Sequence, residues 1–149
     1  LEEGWNLVIY PEGGRTHDGW FQPMRGGAAY LATRTGRPVV PVHIEGTYRI
    51  LPRGGGRLRR HPTRITVGTP LRAGPGEGAR ALESRIDAAM AALADEARTD
   101  WWTARRRAAT GTTPSARGPA ASPWRRAWAL GPDPDRRGED PGRWAVPGE

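Results

Sequence analysis

Large aliphatic and phenyl side chains are scarce in this chain, and they are unevenly placed. Leu, Ile, Val and Phe together account for 21 of 149 residues, and 19 of these fall within residues 1–100. A packed core can form only there, and it must be small. Residues 101–149 keep Leu130 and Val146 from that set, among seven Pro, six Gly and nine Arg. The expectation is therefore one folded unit over residues 1–100 and a disordered or loosely attached tail over 101–149. No apolar run approaches the roughly 18 residues of a membrane span.

Composition narrows the chemistry. All 23 basic residues are Arg, and Lys and Cys are both absent. A P-loop lysine, a Schiff-base lysine, a cysteine nucleophile, disulfides and Cys-based zinc sites are excluded. Ser84, Ser115 and Ser122 lie outside any G-x-S-x-G frame, so no hydrolase elbow is present. His17, His43 and His61 are far apart and fall in no H-E-x-x-H frame, so no metal site is expected. The net charge of +7 calls for an anionic partner. Arg49, Arg53, Arg57, Arg59, Arg60 and Arg64 form either a solvated loop or a contact for anionic lipid headgroups. Trp101-Trp102 and Trp124-Arg125-Arg126-Ala127-Trp128 leave a rival reading open, a non-catalytic arginine-rich module on membrane or nucleic acid.

The pattern of elements is α/β. Leu1–Gly4 reads as a helix end with Gly4 at its left-handed terminus. Asn6–Tyr10 reads as a strand buried on both faces of a parallel sheet. A helix over Met24–Thr35 stops at Gly36, and Pro38–Ile44 is a second strand, which makes a right-handed strand-helix-strand unit. Arg64–Gly68 is a third strand. Leu82, Ile86, Met90, Leu93 and Ala97 form one stripe on a long helix, Ala79–Arg98, that should cover the sheet.

Tyr10-Pro11-Glu12-Gly13-Gly14-Arg15-Thr16 carries the densest chemistry. It follows a strand at its C-terminal end, where open α/β sheets bind ligands. Its glycines let backbone N–H groups approach a ligand, and Arg15 offers a planar fork for phosphate oxygens. Glu12 can orient that guanidinium or accept from a substrate hydroxyl, and Pro11 stiffens the loop. Met24-Arg25-Gly26-Gly27-Ala28 follows, then Val39-Val40-Pro41-Val42-His43-Ile44. In this order the blocks resemble the 1-acyl-glycerol-3-phosphate acyltransferases, a glycerolipid acyltransferase family with F-P-E-G-T-R-S, F-K-x-G-A and V-P-V-x-I blocks. The resemblance covers about residues 1–98.

The resemblance implies a partial acyltransferase fold, with a short, mostly parallel sheet flanked by helices. It implies O-acyl transfer from acyl-CoA or acyl carrier protein to a lysophosphatidate-like glycerol phosphate, with no further cofactor. Carried over by position, Glu12, Gly13, Gly14, Arg15 and Thr16 would hold the acceptor. Arg25, where the family has Lys, would add a cation, while Pro11 and Pro41 would shape the site's surroundings. Gly14 replaces a Thr and Thr16 a Ser. The family's base is a His with an Asp five positions on. Here those positions hold Gln22 after His17, Tyr48 after His43 and Thr66 after His61. No catalytic residue is therefore expected in this chain, which opens on Leu1 and looks like the C-terminal portion of an acyltransferase domain. The implied setting is peripheral, at the cytoplasmic inner face of a cell membrane.

Overall fold

The computed structural model describes residues 4–51 and 57–131. The helix end expected before Gly4, Arg53 of the arginine cluster and the tail beyond Gly131 lie outside the described residues. Within them the order is α1 (Gly27–Thr35), β1 (Val42–Glu45), α2 (Thr47–Ile50), β2 (Arg64–Val67), α3 (Ala79–Arg98), α4 (Trp101–Thr110) and α5 (Pro123–Ala129).

The helix α3 has the predicted bounds, and Leu82, Ile86 and Leu93 of its stripe are buried. Its partner is α1, whose buried face is Ala29 and Ala32. Side chains this small let two helix backbones approach closely, so a core can form from few residues. Ala29, Ala32, Leu82 and Ile86 are its centre, with Val39, Leu71 and Met90 packed around them. Gly36, at φ 64°, ends α1 in the left-handed conformation that favours glycine.

The sheet departs from expectation. β1 and β2 pair antiparallel, with Val42 opposite Val67 and Ile44 opposite Ile65. A mostly parallel sheet is corrected to this two-stranded antiparallel one. The parallel arrangement needed Asn6–Tyr10 as the opening strand of a crossover. That segment forms no strand, and Leu7, Val8 and Tyr10 are exposed. An extended segment becomes a strand only beside a partner that takes its backbone hydrogen bonds. β1 is also shorter than predicted. Pro38 and Pro41 have no N–H to donate, and upstream of β1 the pairing is reduced to the Val39–Leu71 bridge.

Strand alternation sorts the sheet's two faces. His43 is buried on the side covered by α3. Val42, Ile44, Ile65 and Val67 share the other side, and all are exposed.

Residues 101–131 are not the loose tail their composition suggests. Asp100 caps α4, its Oδ1 accepting from Thr103 N at 2.9 Å. Ion pairs then fasten the segment to the body: Arg107 to Asp95 at 2.7 Å, Arg117 to Asp87 at 2.8 Å and Arg126 to Asp18 at 2.7 Å. The attachment uses guanidinium groups together with small apolar side chains, the buried Ala104 and Ala116, so a count of Leu, Ile, Val and Phe largely misses it.

Candidate functional site

The segment Pro11–Gly14 forms a tight turn closed by Gly13 N donating to Tyr10 O at 3.0 Å. Gly13 has φ +69°, and a Cβ there would stand 3.0 Å from Arg25 Nε, so the Arg25 side chain lies directly over this glycine. Two further bonds join the blocks. Arg25 N donates to Pro11 O at 2.8 Å. Gln22 N donates to Glu12 Oε2 at 2.7 Å. Glu12 thus braces the returning chain. Arg15 Nη1 donates to the Leu51 carbonyl at 3.2 Å, which ties the loop to the end of α2.

These contacts border an open cleft of about 710 Å³, lined by Glu12, Gly13, Gly14, Arg15, His17, Gln22, Pro23, Met24 and Arg25. Five of the residues singled out in the sequence, Glu12, Gly13, Gly14, Arg15 and Arg25, therefore meet at one place. The others lie elsewhere. Thr16 Oγ1 donates to Trp20 O at 2.6 Å and accepts from Gly19 N at 3.0 Å, which shapes the loop behind the cleft. Pro11 contributes its carbonyl to Arg25. Pro41 is buried beside Gly68, whose N–H it receives at 2.8 Å, and it is not among the lining residues. His17, Gln22, Pro23 and Met24 are lining residues missing from the sequence-based site. The signal was partial: these four adjoin the site residues at the two ends of the short loop between Arg15 and Arg25, whereas Thr16 and residues 18–21 of that loop do not line the cleft.

The histidines differ in setting. His17 is exposed at the cleft, and its carbonyl accepts from Tyr48 Oη. The neighbouring Asp18 carboxylate accepts from Arg126 Nε at 2.7 Å and from Trp20 N at 3.2 Å. Burial opposes ionisation of Asp18, but these bonds outweigh it and hold its pKa below the usual carboxylate value. His43 is buried against Phe21, with ring centroids 5.3 Å apart. Burial, and then the nearby Arg98 charge, depress its pKa to about 4. At neutral pH it is an uncharged packing residue, in keeping with its place between two aliphatic residues. The Nδ1 of His61 lies 2.7 Å from Pro62 O, and its Nε2 is buried. Among the described residues no group of three or more His, Asp or Glu is placed to hold a metal ion.

Guanidinium groups beside a glycine turn have the donor chemistry to pair with an anionic group such as a phosphate. The residues that line the cleft fall within residues 1–45, which match the family described as Acyltransferase. Among characterised proteins, the chain is 36% identical over 72 residues to a chloroplastic 1-acyl-sn-glycerol-3-phosphate acyltransferase of Brassica napus, covering 48% of this chain and 21% of that one. A chloroplastic enzyme of the same name from Arabidopsis thaliana is 35% identical over 72 residues, 48% of this chain and 20% of that one. The corresponding enzyme of Limnanthes douglasii is 36% identical over 66 residues, 44% and 23% respectively. The match thus spans about a fifth of the length of these relatives. No solved structure matches the chain significantly.

Proposed function

We propose that this chain supplies the acceptor-binding part of a glycerolipid O-acyltransferase, taking a lysophosphatidate-like glycerol phosphate that receives a fatty acyl group from acyl-CoA or acyl carrier protein. The observation that carries the reading is the convergence of Arg15, Arg25, Glu12 and the Gly13-Gly14 turn on one cleft within the acyltransferase-matched segment. The guanidinium groups neutralise the phosphate and fix its position, and the glycines let backbone approach it. In the reaction the acceptor hydroxyl attacks the thioester carbonyl, the C–S bond breaks, and the hydroxyl proton ends on the departing thiol. Removing that proton calls for a base of the His-x-x-x-x-Asp type, which these 149 residues do not contain. The acceptor would come from the inner face of a cell membrane, with arginines of the loop before β2 helping to hold the surface.

Two measurements test this. The chain alone should bind glycerol 3-phosphate and show no acyl transfer to lysophosphatidate; robust turnover by the chain would overturn the account of a missing base. Arg15→Ala should weaken glycerol 3-phosphate binding about tenfold or more, the scale of a charge-assisted contact, by titration calorimetry or NMR shift mapping. Unchanged affinity would remove Arg15 from the phosphate site.

A further inference from the structure

Residues 101–130 contain six Arg and no acidic residue. The structure divides these cations by role. Arg107, Arg117 and Arg126 are ion-paired to Asp95, Asp87 and Asp18 and hold the segment to the body. Arg105 and Arg125 are exposed, and each lies over a Trp ring, Arg105 over Trp101 and Arg125 over Trp124, both at 5.2 Å. Trp124 is 66% exposed and Trp128 82%. A folded chain seldom leaves several indoles this open on a surface without a partner for them.

We propose that the α5 arm is an anionic-bilayer docking surface, with Trp124 and Trp128 entering the interfacial region and Arg125 pairing with lipid phosphates. Indole rings favour the headgroup level, where one edge is apolar and the N–H stays wet, and cations beside them add attraction to anionic lipid. The arm's charge is complementary to such a surface and opposed by no carboxylate of its own. A nucleic acid would be recognised by stacking on free ring faces. Arg125 already covers a face of Trp124, and insertion at a bilayer interface leaves that pair intact. The arm is also tied to the cleft: Asp18, which holds Arg126, belongs to the loop between the lining residues His17 and Gln22. A bilayer bound at α5 would therefore be bound next to the loop whose two ends, His17 and Gln22, line the cleft. The inference rests on the membrane-facing part of the proposed function and specifies which surface does the docking.

The test is co-sedimentation of the full chain with phosphatidylcholine vesicles, with and without about 30% phosphatidylglycerol, across a salt series. Binding should need the anionic lipid and weaken with salt. The Trp124→Ala/Trp128→Ala double variant should lower the partition coefficient about tenfold or more, and Arg125→Gln about fivefold. Both sites are exposed, and an unchanged circular dichroism spectrum would exclude misfolding as the cause. Arm variants that bind like the parent while Arg59→Gln/Arg60→Gln abolishes binding would overturn the arm as the docking surface and leave the loop's role standing. A chain that ignores vesicles but shifts DNA or RNA through the same Trp pair would overturn it in favour of a nucleic-acid partner. Glycerol 3-phosphate binding, measured in the absence of vesicles, reports separately on the cleft.

Discussion

His43 lies within β1 between two aliphatic residues, is 8% exposed, and sits on the side covered by α3. It is kept neutral there, with a pKa near 4, by burial and by the Arg98 charge. In the unfolded chain the same ring takes up a proton near its ordinary value of about 6.5. Between those two values the unfolded state binds more protons than the folded one, so this histidine makes the fold less stable as pH falls from about 6.5 toward 4. Above about 6.5 it contributes no slope. Asp18, whose pKa is already lowered from 3.8, begins to add its own loss only at more acidic pH. Thermal melts should therefore show a falling midpoint between pH 7.5 and 5, and His43→Gln should flatten that dependence. An equally steep profile in the variant would place the titrating group elsewhere.

Among the elements, α3 is the organising one, since it meets α1, α4 and both strands. Leu82 is its fully buried residue, at 0% exposure, seated against the two alanines of α1. Leu82→Ala should cost about 2–5 kcal/mol of stability, because a rigid neighbouring face of alanines cannot collapse into the space. In a core this small that is a large share of the total, and urea unfolding would show a much earlier midpoint. The same stripe explains why α3 was legible from sequence: spacings of three and four are produced by a helix and by little else, and Gly36 marks the end of α1 just as plainly. Strand direction was less legible. Asn6–Tyr10 and Pro38–Ile44 both look like strands, but composition does not record whether a pairing partner lies alongside. Half of the candidate site was readable for a related reason. Glu12 to Arg15 and Arg25 are close in sequence and joined by local hydrogen bonds, whereas Pro41 depends on the tertiary path of the chain and ended beside Gly68. The docking of residues 101–131 was not legible, because ion pairs such as Arg107–Asp95 and Arg126–Asp18 carry no periodicity.

Taken whole, the molecule is a small helical core with its last described segment folded back over the loop between the two blocks of the cleft. Trp20 is where they meet. Its indole Nε1 donates to Arg126 O at 3.0 Å, Arg98 stacks on its ring at 4.3 Å, and Gly118 lies so close that a Cβ would come within 2.7 Å of Trp20 Cε2. Phe21 N donates to Ala116 O at 3.1 Å. Arg126 organises this contact, reaching Asp18, Pro119 O and Arg117 O together. Removing its guanidinium leaves the backbone carbonyl in place but releases the three contacts that position it. Arg126→Ala should therefore raise the exchange rate of the Trp20 indole proton and of the amides of residues 18–22 by about tenfold or more, since local opening is governed by such anchoring contacts. Arg125→Ala, one residue away and outside this network, should leave those rates unchanged. If Arg126 instead served only as one more surface cation, the two variants would exchange alike, and the cleft's wall would owe nothing to the arm.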